Sequence, residues 1–164
     1  MKKLTKTEKR VLIAKDVLEL LAQEKIHEAR GSYMSLNAYD NIFFNKEDSL
    51  EKSLKNLQYS CQVCALGSLL YAHVNRFNEV KTGAVMHGPW FGPDQKETMD
   101  PLLSYFSKSQ LALIENYFEG YDYEKGNYLT FRVSIETIMK NIIKNKGSFK
   151  PNKSLKKEEA ASYR

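Results

Sequence analysis

Two cysteines and three histidines are few for a chain of 164 residues, and each shortage excludes something. Cys61 and Cys64 stand three apart, so a disulfide between them would close almost no loop, and a disulfide-stapled fold is excluded. His27, His73 and His87 are the only imidazoles available to complete a four-ligand zinc site with those thiols. No window approaches the ~18 consecutive apolar residues of a membrane span. The opening run Met1-Lys-Lys-Leu-Thr-Lys6 is charged and no uninterrupted apolar segment follows, so no signal peptide is expected. A serine elbow, a phosphate-binding P-loop, a dinucleotide glycine pattern and a helical His-Glu-x-x-His are all missing. The expected setting is the cytoplasm, where thiols stay reduced, with no membrane partner.

Apolar residues make up 42% of the chain and aromatics 12%. That is enough for one core, and the length suits one domain. The net charge is +5. Lys2, Lys3, Lys6, Lys9 and Arg10 against Glu8 give +4 within residues 1–10. Lys150, Lys153, Lys156, Lys157 and Arg164 against Glu158 and Glu159 give +3 within 148–164. Residues 11–147 are left at −2. Basicity is thus expected in two solvated ends rather than on a folded face, which weighs against nucleic acid as the main partner.

Apolar periodicity predicts a mainly α, compact single domain over residues 1–150 with about five or six helices. A basic, disordered tail is expected over 151–164. Residues 5–25 read as a helix in which Thr5 and Glu8 have capping-box spacing. Gly31–Leu36 alternates weakly and suggests a short extended segment near 31–36. Leu50, Leu54 and Leu57 suggest a helix. Residues 60–77 read as one helix capped by Ser60, with Val63, Leu66, Leu70, Val74 and Phe77 on one face and Cys61, Ala65, Ser68 and Ala72 on a small second face. Residues 78–93 are broken by glycine and proline into a loop. Residues 94–106 read as a helix ended or kinked by Pro101. Ser107 and Gln110 open another helix, which Gly120 closes. Residues 121–130 read as a polar, tyrosine-rich connection, and the last helix as Phe131–Asn145, followed by Gly147.

The Cys61-x-x-Cys64 pair is the obvious place for chemistry. On one continuous helix His73 would point away from both thiols, so a metal held by all three is excluded. A redox thiol needs a helix N-terminus and a strand before it, and the sequence shows no such strand. A Cys–His nucleophilic pair with His87 needs a base and an oxyanion site, and neither is visible. Both cysteines fit packing positions among small residues. Asp122-Tyr-Glu124-Lys-Gly126-Asn127 has a passing likeness to a calcium loop but lacks its ligand pattern. The loop carrying His87, Trp90 and Phe91 is the better recognition candidate, because Trp and Phe between glycines can fill a partner's pocket or stack on a planar ligand.

Three stretches resemble small phage and bacterial mobile-element proteins. They are Cys61-Gln-Val-Cys64-Ala-Leu-Gly67-Ser-Leu-Leu70, Phe106-Ser-Lys-Ser-Gln110-Leu-Ala-Leu-Ile-Glu115-Asn-Tyr-Phe118-Glu-Gly120 and Ile138-Met-Lys-Asn141-Ile-Ile-Lys-Asn145-Lys-Gly147-Ser-Phe149. The likeness covers most of residues 10–150, and the Cys-x-Val-Cys-Ala segment is its most specific part. It implies a bacterial host cytoplasm and carries no activity with it. The expectation is a non-enzymatic, phage-encoded accessory protein that takes no cofactor or metal. It would bind a host protein or a small-molecule ligand and modulate a host process such as defence, and a dimer is compatible with this. The alternatives are a cysteine-dependent enzyme or redox protein using Cys61 and Cys64, and a weak nucleic-acid binder acting through its basic termini.

Overall fold

A computed structural model describes residues 3–30, 34–36, 61–77, 96–152, 155 and 158–159, with backbone alone for 34–36, 96–99 and 158–159. The described residues are mainly helical, with five helices and several short strands. Their order is α1 (Lys6–Ala22), β1 (Ile26–Glu28), β2 (Met34–Leu36), β3 (Cys61–Val63), α2 (Ala65–Arg76), α3 (Lys96–Leu103), α4 (Lys108–Glu119), β4 (Tyr121–Asp122), β5 (Asn127–Tyr128), β6 (Phe131–Arg132), α5 (Ile135–Lys144) and β7 (Glu158–Glu159). No described helix is long and apolar enough to cross a membrane. The expected helix at Leu50–Leu57, the cap at Ser60 and the loop at 78–93 lie outside the described residues.

Local chemistry sets most helix ends. Thr5 caps α1 through a complete capping box, in which its hydroxyl accepts the Glu8 N–H and the Glu8 carboxylate accepts the Thr5 N–H. Ser107 caps α4 by accepting the Gln110 N–H at 3.2 Å, and Gly120 closes that helix at φ 74°. Pro101 lies within α3, which continues past it to Leu103.

Residues 60–77 do not form one helix. Cys61–Val63 is the middle strand of a three-stranded sheet, parallel to β1 and antiparallel to β2. Cys61 pairs in register with Ile26 and Leu36. Val63 suits a helical stripe and a strand equally well, and strand pairing takes it because both neighbours supply hydrogen bonds. The helix begins only at Ala65. Every residue from Ala65 to Val74 is then buried, so α2 is the central helix that its two faces predicted.

Around α2 pack Ile13, Ala14, Val17 and Leu20 of α1, Leu111, Ile114 and Phe118 of α4, and Ile135, Ile138, Met139 and Ile142 of α5. Burying an Ile or Leu side chain stabilises by about 1.5–3 kcal/mol, so this shared core dominates the fold. Polar clamps set its geometry. Arg76 holds Asp16 through two hydrogen bonds, one of them 2.8 Å long, and this joins α2 to α1. The Glu28 carboxylate accepts the Ile135 N–H at the start of α5. Arg30 donates to the Phe118 carbonyl at 3.0 Å and lies over the Phe118 ring.

Two more expectations are corrected. Residues 121–130 contain a β4–β5 hairpin, with Tyr121 opposite Tyr128. The last helix starts at Ile135, capped by Ser134, because Phe131–Arg132 is drawn out as a strand beside Glu158–Glu159. That pairing places part of the segment beyond residue 150 against the helical body.

Candidate functional site

The cysteines sit on different elements. Cys61 is in the sheet, and Cys64 is the N-cap of α2, its sulfur accepting the Gly67 N–H at 3.3 Å. A strand therefore does precede the helix, and the thiol at the helix N-terminus is Cys64, contrary to the sequence reading. This arrangement can activate a thiol, since N-terminal amides and the helix dipole favour thiolate. Here burial outweighs them. The Cys61 thiol is pushed up to about 12 by burial. Cys64 is raised further still: burial is the largest cause, Glu115 and Glu119 add repulsion, and the amides of Gly67 and Leu66 recover only part of it. Both thiols are reduced, buried and protonated at neutral pH.

His27 and His73 do not complete a site with them. His27 is exposed on β1. His73 is buried on α2, more deeply than a half-buried helix position. Its Nδ1 is 2.9 Å from the Tyr105 hydroxyl, and its ring stacks on Tyr105 with centroids 5.7 Å apart. Its Nε2 is buried with no hydrogen-bond partner among the described residues. Burial, and then the Lys9 ammonium, lower its pKa to about 4, so the ring is neutral. Among the described residues no group of three or more His, Cys, Asp and Glu side chains is placed to hold a metal. His87, Trp90 and Phe91, the expected recognition residues, lie outside the described residues.

Glu115 was not singled out by the sequence. It lies on the buried face of α4 between Leu111 and Phe118, and burial, with Glu119 adding to it, raises its pKa to about 8. Its legible signal was a carboxylate one residue after Ile114, within the apolar arc.

The β4–β5 hairpin is the other feature that sequence reasoning passed over. Asp122 Oδ1 accepts the N–H groups of Glu124 and Lys125, each at 3.1 Å, so the calcium-like run is a side-chain-braced turn. Gly126 completes it at φ 67°. Tyr121 packs edge-on against Tyr123 and Tyr128, with centroids 4.9 and 5.0 Å apart. Tyr123 is 39% exposed and Tyr128 62%. The spacing of these tyrosines was readable, but their convergence depends on the pairing of β4 with β5. A separate polar cleft of about 390 Å³ lies between α1 and α2, lined in part by Asp16, Glu19, Lys25, Asn75 and Arg76.

The fold and site define a mainly helical protein with a small mixed sheet and closed thiols. Comparison with known protein families, curated proteins and solved structures finds no match.

Proposed function

We propose that this chain works by binding, as a small accessory protein, rather than by cysteine chemistry. The observation that carries this reading is the tyrosine hairpin. Three rings are held edge to face on a braced turn, and two of them present much of their surface to solvent. Tyrosine offers large, stiff contact area with a polar tip, at a small cost in side-chain entropy. Such rings serve as anchors in protein interfaces. The resemblance to phage and mobile-element proteins suggests a host protein as partner, in a bacterial cytoplasm, and the modulation of a host process as the outcome.

The test is affinity capture from bacterial lysate with the full chain as bait, alongside a Tyr123→Ala/Tyr128→Ala variant, with native mass spectrometry of the purified protein in parallel. The expected result is a partner retained by the wild type and lost by the variant. No partner and no co-purifying ligand would contradict the proposal.

A further inference from the structure

The basic residues are not confined to loose ends. Residues 6–10 are the first turns of α1, and residues 144–150 are the end of α5 and the segment packed beside it. Gly147 sits against α1: a Cβ there would lie 2.9 Å from the Thr7 carbonyl oxygen and 3.2 Å from Arg10 Cβ. Asn141 fixes Lys150 through two hydrogen bonds, 2.7 Å from the Lys150 N–H and 3.0 Å to its carbonyl. Gln110 fixes Phe149 in the same way, at 2.7 and 3.2 Å, which brings up the start of α4. Lys6, Arg10, Lys108, Lys144, Lys146 and Lys150 therefore lie on segments packed together at one pole, drawn from three distant parts of the chain.

All of these except the half-buried Arg10 are exposed. Arg10 is braced by Thr7 and by the face of Phe106. Among the described residues none of the six is ion-paired with a carboxylate; the described pairs join Arg76 to Asp16, Lys125 to Asp122 and Lys140 to Glu136. The acid nearest in sequence, Glu8, is committed to the Thr5 cap.

We infer that this pole binds the phosphate backbone of nucleic acid. The backbone carrying the charges is pinned by side-chain hydrogen bonds, so little ordering is needed on binding. Exposed ammonium groups carried on several packed segments suit a repeating polyanion better than a single small anion. A membrane surface suits it less, because peripheral binding needs a continuous apolar face, and Leu4, Phe77, Tyr123 and Tyr128 are the four exposed large apolar side chains among the described residues. The inference is independent of the tyrosine hairpin, and a different set of variants tests it.

The experiment is fluorescence anisotropy of the full chain with a labelled 20-base-pair duplex of arbitrary sequence and with the matching single strand. Vesicles containing phosphatidylserine serve as the competing probe. Binding is expected at 50 mM salt and should weaken at least about tenfold at 200 mM, as three or more phosphate contacts require. Lys144→Glu/Lys146→Glu/Lys150→Glu, checked for unchanged circular dichroism, should abolish it. Lys156→Glu/Lys157→Glu should leave most of it. No binding at 50 mM salt, binding to vesicles alone, or loss through the second variant with retention in the first would each overturn the inference.

Discussion

The Cys64 sulfur takes the amide proton of Gly67 at 3.3 Å and so occupies the place that a Ser or Asp usually fills at a helix N-terminus. In this role the thiol is structural, an acceptor that satisfies one of the first amides of the central helix. Cys64→Ser should keep the cap and cost less than about 1 kcal/mol. Cys64→Ala should lose it and cost about 1–2 kcal/mol, read from urea denaturation. Equal effects would show that the cap contributes nothing.

Glu115 and His73 give stability a pH optimum. The Glu115 pKa is raised on folding to about 8, so the folded state holds its proton more tightly than the unfolded chain does. Its contribution is complete below the unfolded carboxylate value and is lost as pH rises towards 8. The His73 pKa is lowered to about 4, so its contribution is complete above the unfolded imidazole value and is lost as pH falls towards 4. Glu119 is the charged neighbour of Glu115, and Lys9 that of His73. Glu115→Gln should flatten the alkaline limb and raise stability at pH 9 by about 2 kcal/mol or more, with little change at pH 5. His73→Gln should flatten the acid limb. Melting temperatures between pH 4 and 9 read both, and an unaltered profile in either variant would refute its assignment.

Gly147 closes α5 at φ 90°, and its missing side chain is what lets α1 approach. Gly147→Ala meets both backbone strain and a carbonyl oxygen 2.9 Å away. It should cost about 2–3 kcal/mol, against about 1 kcal/mol for Gly126→Ala, which meets φ 67° and an ordinary contact, 3.8 Å to the Tyr121 hydroxyl. Thermal unfolding of the two variants makes the comparison. The expected order reverses only if α1 yields at that contact.

What the sequence made legible was local. Thr5 with Glu8, Ser107 with Gln110, and the closing glycines Gly120 and Gly147 signal helix ends through chemistry within a few residues. The strand Cys61–Val63 was not legible, because it is too short to show a period and is held by pairing with Ile26–Glu28 and Met34–Leu36. The tyrosine hairpin was hidden in the same way, by a pairing that composition does not reveal. Charge counted along the chain placed Lys108, Lys144 and Lys146 in a nearly neutral middle. Folding packs the end of α5 at Gly147 against Arg10, which had been counted with one end.

Thiol reactivity tests the central claim most directly, that Cys61-x-x-Cys64 is packing and capping and that function lies on the surface. The native protein is treated with iodoacetamide at pH 8, and labelling of each cysteine is followed by peptide mass spectrometry. Buried thiols with raised pKa values should label slowly and at one common rate in the native protein, and rapidly once denaturant is added. Rapid labelling of Cys64 in the folded protein would contradict the account and return the pair to redox or nucleophilic chemistry.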